Sequence, residues 1–133
     1  MPFVLDASSA VAWALGEPDS RAVLARERLR TDQALAPTLW WFELRNALLA
    51  NERRGRLTES RTANFLQALS ELPVSLDRSP NEAAMLALAR RHGLTVYDAA
   101  YLELATRENL SLATLDGPLA AAARAEGVPV LGE

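Results

Sequence analysis

The amino-acid sequence predicts an α/β fold with a central, mostly parallel sheet of four to five short strands. Short apolar segments alternate with helical patterns along the chain, which is typical of parallel sheets covered by helices. A chain of 133 residues has room for one hydrophobic core, so we expect a single domain over residues 1–133. No apolar run is long enough to suggest a membrane span or a signal peptide, and we expect a cytoplasmic protein.

Five apolar segments carry the strand signal. The first ends at Asp6, the second precedes Pro37, the third follows Pro73 and the fourth leads to Asp116. Each is short and apolar without helical periodicity, which favours strands buried between helices. The predicted strands are 3–5, 34–36, 74–76 and 110–114, with 128–131 as a possible fifth.

Polar capping residues and glycines mark the helices between these strands. Side-chain oxygens of Ser, Thr and Asp cap helix N-termini, whereas Gly and Pro tend to end helices. Ser79-Pro80-Asn81-Glu82 has the pattern of a capping box with proline in the first turn, and Thr95 with Asp98 repeats the box. The predicted helices are 8–15, 19–29 capped by Asp19, 39–54 capped by Thr38, 58–72 capped by Thr58, 79–92, 95–105 and an alanine-rich helix from 117.

The composition excludes several kinds of chemistry. The chain has no cysteine, so thiolate zinc sites, disulfides and cysteine nucleophiles are impossible. All 14 basic residues are arginine, which excludes P-loop NTPases, Schiff-base enzymes and phosphotransfer schemes that need a lysine. His92 is the only histidine, so there is no histidine metal cluster. The net charge of -3 is neutral evidence on nucleic acid, because local arginine patches can still contact phosphates.

Four acidic residues fall where the ligand-binding edge of such a sheet would lie. Asp6 and Asp116 follow the first and fourth strands, and the carboxyl ends of parallel strands meet at one edge. Asp98 lies in the first turn of a helix, where free backbone N–H groups favour an anion. Glu43 lies on a largely apolar stripe of its helix, which turns its carboxylate inward, where an unpaired charge is costly.

Each acid also has a purely structural explanation. The three aspartates stand where a carboxylate can cap a helix or a turn, and Glu43 can pair with Arg45 or Arg21. The conjunction of all four favours a site, because converging carboxylates without lysine or histidine partners repel one another. A hard divalent cation with oxygen ligands relieves that repulsion and can activate water against a phosphodiester.

The four acids stand in the blocks VLDASSAVAWAL, ELRNAL, LTVYDAAYLELA and LATLD, which follow one another over essentially the whole chain. Each block is a weak signal alone, but the set D-x-S, E-x-x-N, Y-D-A-x-Y-L and T-x-D is specific. It resembles the PIN-domain family, and within it the VapC toxins of toxin–antitoxin pairs. The resemblance implies a three-layer α/β/α sandwich and an endoribonuclease that depends on Mg²⁺ or Mn²⁺.

The resemblance also implies roles for particular residues and partners. The metal-binding and catalytic residues would be Asp6, Glu43, Asp98 and Asp116. The supporting residues, whose polar groups can orient a carboxylate or a metal-bound water, would be Ser8, Asn46 and Thr114. The implied partners are an RNA whose cleavage inhibits translation, a VapB-like antitoxin that covers the acidic edge, and a second copy in a homodimer.

Arg53, Arg54 and Arg56 are candidate RNA contacts. They lie at the end of a predicted helix, where the helix dipole favours cations in any case, so we prefer the structural explanation for them. Two functional alternatives also stay open. The chain can be a catalytically silent PIN-like module that binds RNA or a protein, and the acids alone do not separate an RNase from a DNase or one metal ion from two.

Aromatic residues give two further expectations. Trp40 and Trp41 are adjacent on one helix, so one of them must point away from the core and can mark an interface. Tyr97 and Tyr101 are four residues apart on another helix, and we expect them to brace the site or the core.

Overall fold

The structure, a computed structural model, describes residues 1–133 and contains four strands and seven helices. The strands are β1 (Phe3–Leu5), β2 (Ala34–Pro37), β3 (Val74–Asp77) and β4 (Ser111–Ala113). The helices are α1 (Ala7–Leu15), α2 (Ser20–Arg28), α3 (Leu39–Arg53), α4 (Glu59–Leu69), α5 (Glu82–His92), α6 (Val96–Glu108) and α7 (Gly117–Ala125).

The four strands form one parallel sheet in the order β3-β2-β1-β4. From β1 the chain builds outward through β2 to β3, and β4 then pairs with the other side of β1. Leu5 lies beside Ala113 in this pairing, so β1 and β4 end together. The change of direction between β1 and β4 is a topological switch point, where open α/β sheets bind ligands.

The helices form two groups that cover the sheet. Helix α1 contacts α2, α3 and α4, whereas α6 contacts α5, α7 and the strands β1, β2 and β4. All three residues of β1 are fully buried, which explains why this strand is a continuous apolar run. The predicted three-layer α/β/α architecture is confirmed. No helix has both the length and the apolar character needed to cross a bilayer.

The possible fifth strand is reduced to a single bridge between Leu112 and Val130. Leu112 donates to the carbonyl of Pro129 and accepts from the N–H of Leu131, at 2.9 Å in each case. Pro129 has no N–H with which to extend the ladder. The C-terminal segment nevertheless covers the outer edge of β4.

The predicted capping box that begins at Ser79 is wrong, because helix α5 begins later in the chain. Asn81 is the N-cap, and its side chain accepts a hydrogen bond from the N–H of Ala84 at 3.0 Å. The N–H of Asn81 donates to Oε1 of Glu103 at 2.9 Å, so this buried carboxylate holds the segment that precedes α5. Pro80 therefore lies outside the helix rather than in its first turn.

The predicted caps differ in outcome. Asp19, Thr58 and Thr95 each accept a backbone hydrogen bond with the side chain, as predicted. Thr38 makes no such bond, because its backbone is already helical, with φ -58° and ψ -30°. A side chain caps a helix from an extended backbone, so Thr38 occupies the predicted N-cap position but its side chain does not cap the helix.

Replacing Asn81 by Ala should lower the free energy of unfolding by about 1 kcal/mol, the usual value of a lost N-cap. Ser79→Ala, two residues earlier, should change it little because Ser79 is exposed and outside the helix. Urea unfolding of both variants measures the difference. An equal loss in Ser79→Ala would contradict this assignment of the cap.

Candidate metal centre

A cleft at the carboxyl ends of β1 and β4 brings the four predicted acids together. It lies at the switch point of the sheet, and helices α1, α3, α6 and α7 each supply part of its wall or rim. The residues that line it are Asp6, Ala7, Ser8, Val11, Glu43, Ala47, Asp98 and Asp116.

Asp6 is the most deeply buried of these acids, with 6% of its surface exposed. Its Oδ2 atom accepts a hydrogen bond from Thr114 Oγ1 at 2.6 Å and another from Ser8 Oγ at 2.9 Å. Its backbone N–H donates to Ala113 on β4. Two hydroxyl groups therefore compensate a carboxylate that has no ionic partner.

The hydroxyls of Ser8 and Thr114 are themselves oriented by the loop after β4. The N–H of Leu115 donates to Ser8 Oγ at 2.9 Å, and the N–H of Asp116 donates to Thr114 Oγ1 at 3.0 Å. Each hydroxyl thus accepts a hydrogen bond from a backbone N–H and donates its own hydrogen to Asp6. The network fixes the end of β1 to the loop that carries Asp116.

Glu43 faces the cleft from α3 and is half-buried. Its Oε1 accepts a hydrogen bond of 2.5 Å from the hydroxyl of Tyr101 on α6. Neither of the two arginines considered as partners of Glu43 forms an ion pair with its carboxylate. Arg45 donates to the carbonyl of Trp41 and lies over the Trp41 ring, and Arg21 pairs with Asp19.

Asp98 and Asp116 lie at the N-termini of α6 and α7. The hydroxyl of Thr95 accepts from the N–H of Asp98 at 3.1 Å, and Asp116 Oδ2 accepts from the N–H of Leu119 at 2.9 Å. Asp116 therefore caps its helix and lines the cleft at once. The structural and functional explanations of this residue do not exclude each other.

The electrostatics of the cleft disfavour ionised carboxylates. Burial raises the pKa of Asp6, against the hydrogen bonds from Thr114 and Ser8, which lower it. Burial also raises the pKa of Glu43, as do the charges of Asp6 and Asp98. The pKa of Asp98 is raised by burial and then by the charge of Asp116. No arginine or histidine forms a salt bridge with any of the four acids.

The donor set of the cleft suits a hard divalent cation. It offers carboxylate and hydroxyl oxygens only, which are ligands that Mg²⁺ prefers. No three acidic or histidine side chains are arranged to ligate one ion directly. A site with few direct protein ligands is compatible with Mg²⁺, because this ion keeps several waters and is commonly held by one or two carboxylates.

The remaining predicted site residues lie outside the cleft. Asn46 is exposed on α3, one turn from Glu43, and does not line the cleft. Arg53, Arg54 and Arg56 are exposed and form no ion pair, so their guanidinium groups are accessible. The structure brings together the four acids, Ser8 and Thr114, and leaves these other four residues apart.

The aromatic residues behave partly as expected. Trp40 is buried, whereas 43% of the surface of Trp41 is exposed, as predicted for an adjacent pair. Tyr101 is fully buried and braces Glu43, but Tyr97 is exposed and braces nothing. The specific contact between Tyr101 and Glu43 was missed. The available signal was the spacing of Tyr101, three residues after Asp98, which puts the two on neighbouring positions of one helix face.

Comparison with known proteins agrees with this geometry. The family model of the PIN domain matches residues 3–125. The chain belongs to the PIN-domain family. Ribonuclease VapC3 of Pyrobaculum aerophilum is 38% identical over 128 residues, covering 90% of this chain and 93% of the relative. Ribonuclease VapC1 of Mycobacterium tuberculosis is 35% identical over 123 residues, covering 90% and 89%.

A solved structure supports the fold independently. The crystal structure of PAE2754 from Pyrobaculum aerophilum matches with a TM-score of 0.68 and 27% identity, covering 92% of this chain and 87% of that one. Within the PIN-domain family, the chain is of the VapC type, as the sequence blocks indicated.

The raised pKa values predict how stability depends on pH in metal-free protein. A carboxyl whose pKa is raised by folding binds its proton more tightly in the folded state, so stability increases as pH falls from 7 through the raised value. The gain ends near the unfolded pKa, about 4. We therefore expect the melting temperature of chelator-treated protein to be higher at pH 5 than at pH 7. Surface carboxylates with lowered pKa, such as Asp32, lose their contribution only near or below pH 4.

Asp98→Asn is the matching variant, because it removes one repelling charge with almost no change in shape. Its melting temperature without metal should exceed that of the wild type at pH 7, and the difference should shrink at pH 5. Thermal unfolding at both pH values measures this. A variant less stable than the wild type at pH 7 would show that Asp98 is not electrostatically strained.

Proposed function

We propose that the chain is a Mg²⁺-dependent endoribonuclease, with Mn²⁺ as an alternative cofactor. The observation that carries the proposal is the convergence of four carboxylates on one cleft without any basic partner. Such a set is unfavourable in isolation and becomes favourable around a divalent cation. The two relatives described above are both named ribonucleases, which supports RNA as the substrate.

Asp6, Glu43, Asp98 and Asp116 would hold the metal. A bound divalent ion supplies a water of lowered pKa as nucleophile and neutralises charge that develops on the scissile phosphate. Ser8 and Thr114 stabilise the ionised form of Asp6 by donating to it, which offsets part of the rise in its pKa that burial causes. Their anchoring to the backbone keeps Asp6 and Asp116 in fixed relation.

The biological setting follows from the VapC type of the chain. We propose that it is the toxin of a toxin–antitoxin pair, acts in the cytoplasm and inhibits translation by cleaving RNA. A VapB-like antitoxin would silence it by covering the acidic cleft. We also propose a homodimer, for which the exposed apolar side chains of α3 offer a surface, Trp41, Phe42 and Leu49 among them.

Glu43→Gln should abolish most cleavage, because the variant loses a charged ligand while the side chain keeps its shape. We expect the rate to fall about a hundredfold, a common cost of removing one electrostatic group from an active site. Glu52→Gln, on the same helix but away from the cleft, is the matched control and should cleave like the wild type.

The assay compares structured RNA with DNA of the same sequence, with Mg²⁺, with Mn²⁺ and with chelator. RNA cleavage that needs metal and is lost in Glu43→Gln supports the proposal. Cleavage of DNA alone would indicate a DNase. Intact RNA under all metal conditions, with folded and antitoxin-free protein, would favour the catalytically silent module that binds without cutting.

Replacing Arg53, Arg54 and Arg56 together by Gln should lower the affinity for RNA. It should also make this affinity depend less steeply on salt concentration. Each phosphate contact on single-stranded RNA contributes about 0.7 to the slope of log affinity against log salt, so losing three lowers the slope by about 2. Binding is measured by fluorescence anisotropy in the Glu43→Gln background to prevent cleavage. Arg26→Gln, another exposed arginine without an ion pair, is the control. An unchanged slope would mean that these arginines serve only the helix end.

A further inference from the structure

Three of the four cleft carboxylates divide their oxygens in the same way. Asp6 uses Oδ2 for Ser8 and Thr114, and Asp116 uses Oδ2 for the N–H of Leu119. Glu43 uses Oε1 for Tyr101. In each case no side chain donates a hydrogen bond to the second oxygen. Each of these acids therefore has one oxygen that accepts a hydrogen bond from the protein and a second oxygen that is more open to a ligand.

Tyr101, like Thr114, reaches its carboxylate from a distant part of the chain. It is 58 residues from Glu43 in sequence, and its ring is fully buried between the helices and the sheet. Burial raises the pKa of the Tyr101 hydroxyl, as does the charge of Asp6, so the hydroxyl lies close to Asp6 as well as to Glu43. Packing fixes the ring, and the fixed hydroxyl in turn fixes one oxygen of Glu43.

We propose that Tyr101 is a positioning residue that restricts Glu43 to one metal-ligating oxygen and thereby favours Mg²⁺ over Ca²⁺. The proposal rests on the metal site of the proposed function. Mg²⁺ requires near-octahedral coordination with short distances and accepts single carboxylate oxygens, whereas Ca²⁺ takes six to eight oxygens and readily binds both oxygens of one carboxylate. For Glu43 to bind through both oxygens, the ion must share Oε1 with the Tyr101 hydroxyl, which already occupies one of the two lone pairs of this oxygen.

Tyr101→Phe tests this directly, because it removes the hydroxyl and keeps the buried ring. Titration calorimetry of chelator-treated, dialysed protein with MgCl₂ and with CaCl₂ gives the ratio of the two dissociation constants. We expect the ratio to move towards Ca²⁺ by about tenfold or more in the variant, the scale of one hydrogen bond to a charged group. Tyr97→Phe, on the same helix with an exposed hydroxyl, should keep the wild-type ratio.

The outcomes separate this inference from the nuclease proposal. A wild type that binds Mg²⁺, with the same ratio in Tyr101→Phe, overturns the role of Tyr101 and leaves the metal site intact. A wild type that binds neither ion, by heat or by a shift in melting temperature, overturns the proposed metal site as well. If circular dichroism shows that Tyr101→Phe does not fold, the proposal is tested by the relative affinity of the wild type for the two ions. Tighter binding of Ca²⁺ than of Mg²⁺ then contradicts the proposal, and weaker binding supports it.

Discussion

The buried carboxylate of Asp6 is the constraint on which the arrangement of the cleft depends. It stands at the carboxyl end of a strand that is buried on both faces, where a bare charge is strongly disfavoured. The chain compensates this charge with two hydroxyl donors to the same oxygen, Ser8 at the start of α1 and Thr114 after β4. Because both hydroxyls are held by backbone N–H groups of one loop, satisfying Asp6 also sets the position of Asp116. The hydrogen bonds that compensate the charge of Asp6 thereby position two of the four acids, Asp6 and Asp116.

The other acids are accommodated without cations as well. Asp98 and Asp116 lie at helix N-termini, where aligned peptide dipoles favour negative charge, and Glu43 receives the hydroxyl of Tyr101. These neutral donors offset only part of the repulsion, as the raised pKa values of Asp6, Glu43 and Asp98 indicate. Arginines in the same places would stabilise the fold further but would neutralise the site. The arginines of the chain lie elsewhere, and the repulsion that remains among the carboxylates is what the proposed metal ion would relieve.

Local patterns and the four sequence blocks predicted the order of the elements and the convergence of the acids, whereas individual contacts between distant residues were not predicted. The order of strands and helices and the position of Asp6 and Asp116 at strand ends follow from apolar periodicity and capping residues, which act over a few residues. The start of α5 was misplaced because Glu103, more than twenty residues away, binds the N–H of Asn81. The Tyr101–Glu43 bond escaped prediction for the same reason. Asn46 shows the converse limit, since its spacing from Glu43 placed it one turn away but did not reveal that its side chain faces solvent.

The distribution of charge explains how a chain of net charge -3 can accommodate a polyanion. Helix α3 carries an acid at Glu43 and basic residues at its C-terminal end, where Arg53 lies ten residues further on. At 1.5 Å per residue these positions are about 15 Å apart, more than a Debye length at physiological salt. Under the proposed function, the acids inside the cleft would bind a cation while the arginines outside it would contact phosphates, with little mutual cancellation. Net charge does not report such a separation of opposite charges along one helix.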